Sequence, residues 1–131
     1  MNSSLRVAVA DDDRKMCELL QEMLRNLGHE VVAVAENGDS LIQQCAVAQP
    51  DVVITGTLTP QMRGADAAAV IYNDRPIPII LYSKYCDPDL VINAEHKHVF
   101  MYLVKPISQE HLEAALKDCH RHESVECQET E

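Results

Sequence analysis

The sequence predicts a three-layer, doubly wound α/β sandwich built on a parallel sheet. Three observations point there. Short β-branched runs alternate with longer segments of helical spacing along the whole chain. Three of those runs, VVIT, IPIILY and VFMYLV, are almost continuously apolar, as expected of strands covered on both faces. The length, 131 residues with 47% apolar side chains, suits one domain with one core. Right-handed crossovers between parallel strands then place helices on both sides of the sheet.

The elements follow in order. The first strand is expected over Leu5 to Ala10, and Asp13 is the N-cap of the helix after it. In that helix Met16, Leu19, Leu20, Met23, Leu24 and Leu27 form an apolar stripe, and Gly28 ends it where a left-handed cap is cheap. Glu30 to Ala35 is the second strand. The second helix starts near Asp39, buries Leu41, Ile42 and Cys45, and is stopped by Pro50. Asp51 to Thr55 is the third strand, followed by a loop and a helix from Ala65 to Tyr72. Ile77 to Tyr82 is the fourth strand; Asp87 and Pro88 open the fourth helix. Val99 to Val104 is the fifth strand, and the last helix starts at Ser108 with Leu112, Ala115, Leu116 and Cys119 on one side. The domain is expected to span residues 1–121. Residues 122–131, HESVECQETE, add four acids and almost no apolar side chain, a composition expected to stay disordered.

Charge and cysteine usage narrow the function. A formal net charge of −10 repels a phosphate backbone, which excludes nucleic acid as the expected partner and favours proteins. No apolar run approaches the roughly 20 residues that cross a bilayer. Cys17, Cys45, Cys86, Cys119 and Cys127 are odd in number, contain no C-x-x-C pair, and follow no export signal at Met1. Reduced thiols and a cytoplasmic location are the expectation. The pairs His96-x-His98 and His120-x-His122 are not read as metal ligands, because residues two apart on a helix point to different faces.

In doubly wound sheets ligands bind beyond the carboxyl ends of the strands. Those ends read A-D-D-D, T-G-T, Y-S-K and V-K-P. With Asp11-Asp12 after the first strand, Ser83 after the fourth, Tyr102 in the fifth and Lys105-Pro106 at its end, the chain from Leu5 to about Arg121 resembles the receiver domain of bacterial two-component response regulators. Y-L-V-K-P is similar to the receivers of antiterminator-type regulators, here expected without their RNA-binding output helices. The resemblance implies a flavodoxin-like sheet with strand order 2-1-3-4-5.

It also implies roles. Asp12 would hold Mg²⁺ together with a phosphoacceptor aspartate, with Asp11 in support, because a hard octahedral ion calls for clustered oxygen ligands. Lys105 would pair with the acceptor and then with the phosphoryl group. Ser83 would hydrogen-bond that group, and the Tyr102 ring would swing inward behind it.

The third strand departs from this pattern. The family reads apolar strand, Asp, three variable residues, Pro, then Met-Asp-Gly. This chain reads V-V-I-T, Gly56, Thr57-Leu58-Thr59, Pro60, Gln61-Met62-Arg63-Gly64. Pro60, Met62 and Gly64 fix the register, so Gly56 stands in the acceptor's place, while Arg63 replaces a rim aspartate and Thr57 flanks the position. Asp51 cannot substitute, since it sits about 15 Å away at the other end of the strand.

The expected function is a stand-alone, non-enzymatic receiver-like protein in phosphorelay signalling. It acts through protein contacts with a histidine kinase or a downstream protein, and a homodimer through the face of the fourth helix, fifth strand and fifth helix is a further expectation. No cofactor is required, and Mg²⁺ at Asp11 and Asp12 is expected to bind only weakly. Lys105 is expected against the acids and Arg63 over them, and Gly56→Asp is expected to rebuild the acidic cluster. Two alternatives stand beside this reading: a conventional receiver with a non-standard acceptor, and a small metal-dependent phosphohydrolase using Asp11 to Asp13, which would need a lid that this chain lacks.

Overall fold

A computed structural model describes residues 4–56, 58–59, 62–83, 101–104 and 107–124. Five parallel strands form one sheet: β1 (Arg6–Ala10), β2 (Glu30–Ala35), β3 (Val52–Gly56), β6 (Ile79–Ser83) and β7 (Met101–Val104). Their order across the sheet is β2-β1-β3-β6-β7, which is the 2-1-3-4-5 order of the flavodoxin-like fold. Between β3 and the third helix lies a two-stranded antiparallel hairpin, β4 (Leu58–Thr59) and β5 (Met62–Arg63), in the stretch that reads as loop from sequence.

Period-two alternation sorts the strand side chains into two cores. On one face Val7, Val9, Val52, Ile54, Ile80 and Tyr82 pack with Leu20, Leu24, Leu112 and Leu116, which come from α1 (Arg14–Asn26) and the C-terminal helix (Gln109–Ser124). On the other face Ala8, Ala10, Ala33, Ala35, Val53 and Ile79 pack with Leu41, Cys45, Ala67, Ala68 and Ile71 of α2 (Gly38–Ala48) and α3 (Gly64–Asp74). Both faces of the central strands are therefore buried, which is why their sequences lack polar alternation.

Local chemistry sets the element ends. The Asp13 carboxylate accepts from the Lys15 N–H at 3.0 Å and caps α1. At the other end Gly28 adopts φ +89°, the Gly28 N–H donates to Arg25 O, and the His29 N–H donates to Leu24 O. That pair of bonds is the Schellman closure, and it needs the left-handed residue that glycine supplies. The cap of α2 is Asn37, whose side chain accepts from the Ser40 N–H at 2.8 Å, so the helix begins at Gly38 and the expected starter Asp39 sits in its first turn, where the helix dipole favours an acid.

Several expected boundaries shift. The fourth strand of the fold begins at Ile79 rather than Ile77, because Pro76 and Pro78 have no N–H to give to a ladder. The third helix runs Gly64–Asp74, longer at both ends than expected. The C-terminal helix reaches Ser124, three residues past the boundary placed at 121. Leu19 is 45% exposed, whereas Cys17 is buried. At about 100° per residue Leu19 lies a full step off Leu20 and outside the buried stripe, while Cys17 falls on its other margin. The helix expected at Asp87 and Pro88 lies outside the described residues.

Candidate functional site

Three residues meet in one row at the carboxyl ends of the strands, on the face of α1 and the C-terminal helix. Asp11 follows β1, Gly56 ends β3, and Tyr82 is the register partner of Gly56 on β6. Each continues the inward period of its strand: Val7 and Val9 lead to Asp11, Val52 and Ile54 to Gly56, and Ile80 to Tyr82.

Asp11 is buried, with 4% of its surface exposed. Burying a carboxylate costs several kcal/mol unless its oxygens find donors. Here one oxygen accepts from the Tyr82 hydroxyl at 2.6 Å and the other from the Asp13 N–H at 2.8 Å. The first distance is that of a charge-assisted O–H···O⁻ bond. Main-chain bonds hold the acid in place, since the Asp11 N–H donates to Ala35 O at 3.1 Å and the Cys17 thiol donates to Asp11 O at 3.4 Å. Burial, followed by the Asp11 carboxylate beside it, pushes the Tyr82 hydroxyl far above the ordinary tyrosine range, so it stays protonated and remains a donor. Burial likewise pushes the Cys17 thiol up to about 11, which keeps it un-ionised.

Gly56 has no side chain, and the space where one would begin is already taken. A Cβ built there would lie 3.3 Å from Asp11 Oδ2, 3.7 Å from Asp11 Cγ and 3.7 Å from Tyr82 Cε1. Its φ is not positive, so what favours glycine here is the tight approach of Asp11 Oδ2 rather than backbone conformation. The neighbouring Thr55, fully buried, donates its hydroxyl to Gly56 O at 3.1 Å.

The two adjacent acids differ in setting. Asp12 is exposed; desolvation, then its hydrogen bond with and repulsion from Asp11, raise its carboxyl above the ordinary value. Ser83 ends β6 opposite Val104, and Tyr102 pairs with Leu81. Arg63 lies in β5 opposite Leu58. Lys105 and Thr57 lie outside the described residues, so the expected contact of Lys105 with the acids does too. From sequence, Tyr82 reads only as part of an apolar strand. The signal that marks it is chemical: a phenol facing inward at a strand end needs a polar partner, and Asp11 shares its face.

Of the carboxylates that the resemblance implies for Mg²⁺, Asp12 is present and exposed, and the acceptor is missing at Gly56. Both oxygens of Asp11 already accept protein hydrogen bonds, and Gly56 offers no ligand. Among the described residues no cluster of three or more His, Cys, Asp or Glu side chains could hold a metal ion. A cavity of about 240 Å³ lies elsewhere, between α2 and α3, lined mainly by apolar residues such as Ile42, Cys45, Val70 and Ile71.

A doubly wound sheet of this order, with acids after β1 and its candidate site at the carboxyl ends of the strands, is the architecture of response-regulator receiver domains. The family model "Response regulator receiver domain" matches residues 7–117, and the chain belongs to that family. It is 36% identical over 103 residues to the transcriptional regulatory protein PdtaR of Mycobacterium tuberculosis, covering 79% of this chain and 50% of that protein. It is 31% identical over 114 residues to a response regulatory protein of Vibrio cholerae, covering 86% of this chain and 43% of that one. The chain thus spans about half the length of these curated relatives, or somewhat less. Among solved structures, the signal receiver domain of a modulated diguanylate cyclase from Desulfovibrio desulfuricans superposes with a TM-score of 0.86 at 23% identity, covering 95% of this chain and 99% of that one. The response regulator PhyR of Brucella abortus gives 0.84 at 22% identity, covering 95% of this chain and 51% of that one. Both structural likenesses speak to the fold. Among the described residues no helix is long and apolar enough to cross a membrane.

Proposed function

We propose that this receiver does not accept a phosphoryl group and works in two-component signalling by protein contacts alone. The observation that carries the reading is the occupied space at Gly56: the position has no carboxylate, and Asp11 Oδ2 stands 3.3 Å from where its first carbon would be. Without the acceptor there is no acyl phosphate to form, so partner binding must set the conformation. A histidine kinase or a downstream signalling protein is the partner class that membership of the family favours. No cofactor is needed for this role, and Mg²⁺ binds at millimolar strength or weaker, about 4 kcal/mol or less. The chain catalyses no reaction of its own, and self-association through the side of the fold formed by β7 and the C-terminal helix is one route to partner control. The test is incubation of the unmodified protein with a small-molecule phosphate donor and Mg²⁺, followed by intact mass. The expected result is no added phosphoryl group; stoichiometric labelling would overturn the reading and support a receiver with another acceptor.

A further inference from the structure

We infer that Tyr82 is a positioning residue that substitutes for the missing acceptor, and that Gly56 and Tyr82 form one compensated unit around Asp11. The inference rests on the non-accepting reading and deepens it. The two residues are register partners on adjacent strands, and they share one inward-facing row with Asp11. The Tyr82 hydroxyl binds Asp11 Oδ2 at 2.6 Å, and that same oxygen stands 3.3 Å from the absent Cβ of residue 56. The Tyr82 ring stands at ordinary contact distance, 3.7 Å from the same point. A Cβ at 56 therefore requires the Asp11 oxygen that Tyr82 holds to give by a few tenths of an ångström.

An aspartate at 56 would bring a second carboxylate against a buried one whose oxygens are already committed. Like charges crowded in a poorly solvated site oppose each other strongly. Gly56→Asp alone then fails to rebuild a metal site, contrary to what the sequence pattern suggests. The block lies in strand β6 rather than in the missing side chain alone. Replacing Tyr82 by a smaller apolar residue removes the hydroxyl bonded to Asp11 Oδ2 and the ring atom nearest residue 56.

The experiment compares the unmodified chain, Gly56→Asp, Tyr82→Leu and the double variant by calorimetric titration with Mg²⁺ alone, each checked for folding by circular dichroism. The double variant is expected to bind Mg²⁺ at least about tenfold more tightly than the two single-variant effects multiplied together predict, a coupling of about 1.4 kcal/mol. Gly56→Asp binding Mg²⁺ as tightly as the double variant would overturn the role of Tyr82 while leaving the non-accepting reading intact. A double variant no tighter than that product would overturn it as well. Labelling of the unmodified chain by a phosphate donor is a separate result that strikes the functional reading itself.

A second measurement decides the matter if an aspartate variant does not fold. Gly56→Ala adds only the Cβ, and Tyr82→Phe removes only the hydroxyl that donates to Asp11 Oδ2. Gly56→Ala is expected to lower the folding equilibrium constant in the unmodified background, and by about tenfold less in the Tyr82→Phe background, where Asp11 Oδ2 has lost the hydroxyl that holds it. Equal losses in both backgrounds would show that the two positions are independent and would overturn the proposal.

Discussion

The Gln44 side-chain amide pairs with both backbone groups of Val34, accepting from its N–H at 3.3 Å and donating to its carbonyl at 2.9 Å. Val34 lies on β2, the edge of the sheet, where backbone groups have no strand on one side. The same amide nitrogen donates to Ser40 Oγ at 2.9 Å, so α2 holds the amide against the strand from one turn away. Gln44→Ala should cost about 1 kcal/mol, in line with the net worth of ordinary hydrogen bonds at an accessible site. Gln44→Glu should cost more, because a carboxylate can accept from the N–H but faces the carbonyl with no proton to give. Urea denaturation of the two variants checks the order, and Gln44→Glu no less stable than Gln44→Ala would refute this account of the edge.

His29 ties the start of β1 to the turn after α1. Its Nδ1 accepts from the Leu5 N–H at 3.0 Å, which requires that nitrogen to be unprotonated. Burial lowers its folded-state value below the ordinary one, against a weaker opposite pull from Glu113. The unfolded chain therefore takes up a proton first, near the ordinary value of about 6.5. The stability contribution is fully present above that pH and is lost as pH falls from there through the lower folded value. Stability of the unmodified chain and of His29→Gln, measured from pH 8 to about pH 5, should converge as the solution becomes acidic. A gap that stays constant across that window would rule out this linkage.

Leu24 and Leu19 separate core from surface on one helix. Leu24 is fully buried in the cluster with Val7, Ile54 and Leu116, so Leu24→Ala should cost about 2–5 kcal/mol through lost burial and the cavity left behind. Leu19 is 45% exposed, and Leu19→Ala should stay within about 0.5 kcal/mol. Denaturant midpoints of the two variants decide it; comparable losses would mean that Leu19 is covered in solution.

The contrast between those two leucines also shows where sequence stops encoding position. The strands and their order are legible because V-V-I-T and its companions bury both faces, and the vacancy at Gly56 is legible because Pro60, Met62 and Gly64 pin the register. The expected stripe of the first helix is one residue too wide, so Leu19 is exposed, while Cys17, which is not counted in it, is buried. The cap at Asn37 is hidden because Asp39, two residues on, is an equally good capping type. The resemblance gives Asp12 the metal and Asp11 a supporting role, and the structure buries Asp11 and exposes Asp12. Strand alternation turns Asp11 inward, but its partner, Tyr82, lies 71 residues away in sequence, and no local pattern encodes that bond.

Tyr82→Phe tests that bond directly. The change keeps the ring and its packing in the core while removing the donor to a buried carboxylate. Hydrogen bonds to charged groups contribute about 1.5–3 kcal/mol, and the loss should fall in that range at neutral pH. The pH dependence carries the finer test. In the folded protein burial and the adjacent Asp11 carboxylate hold the phenol well above its ordinary value, whereas in the unfolded chain it ionises near pH 10. A group whose folded value is raised stabilises fully below its unfolded value and loses that contribution as pH rises past it. The advantage of the unmodified chain over Tyr82→Phe should thus be constant through neutrality and shrink above about pH 10. The remaining tyrosines are common to both proteins and cancel in the difference. Equilibrium unfolding of the pair at neutral and alkaline pH measures it, and an advantage that persists undiminished into strong alkali would mean that the Tyr82 hydroxyl is not the buried proton donor to Asp11.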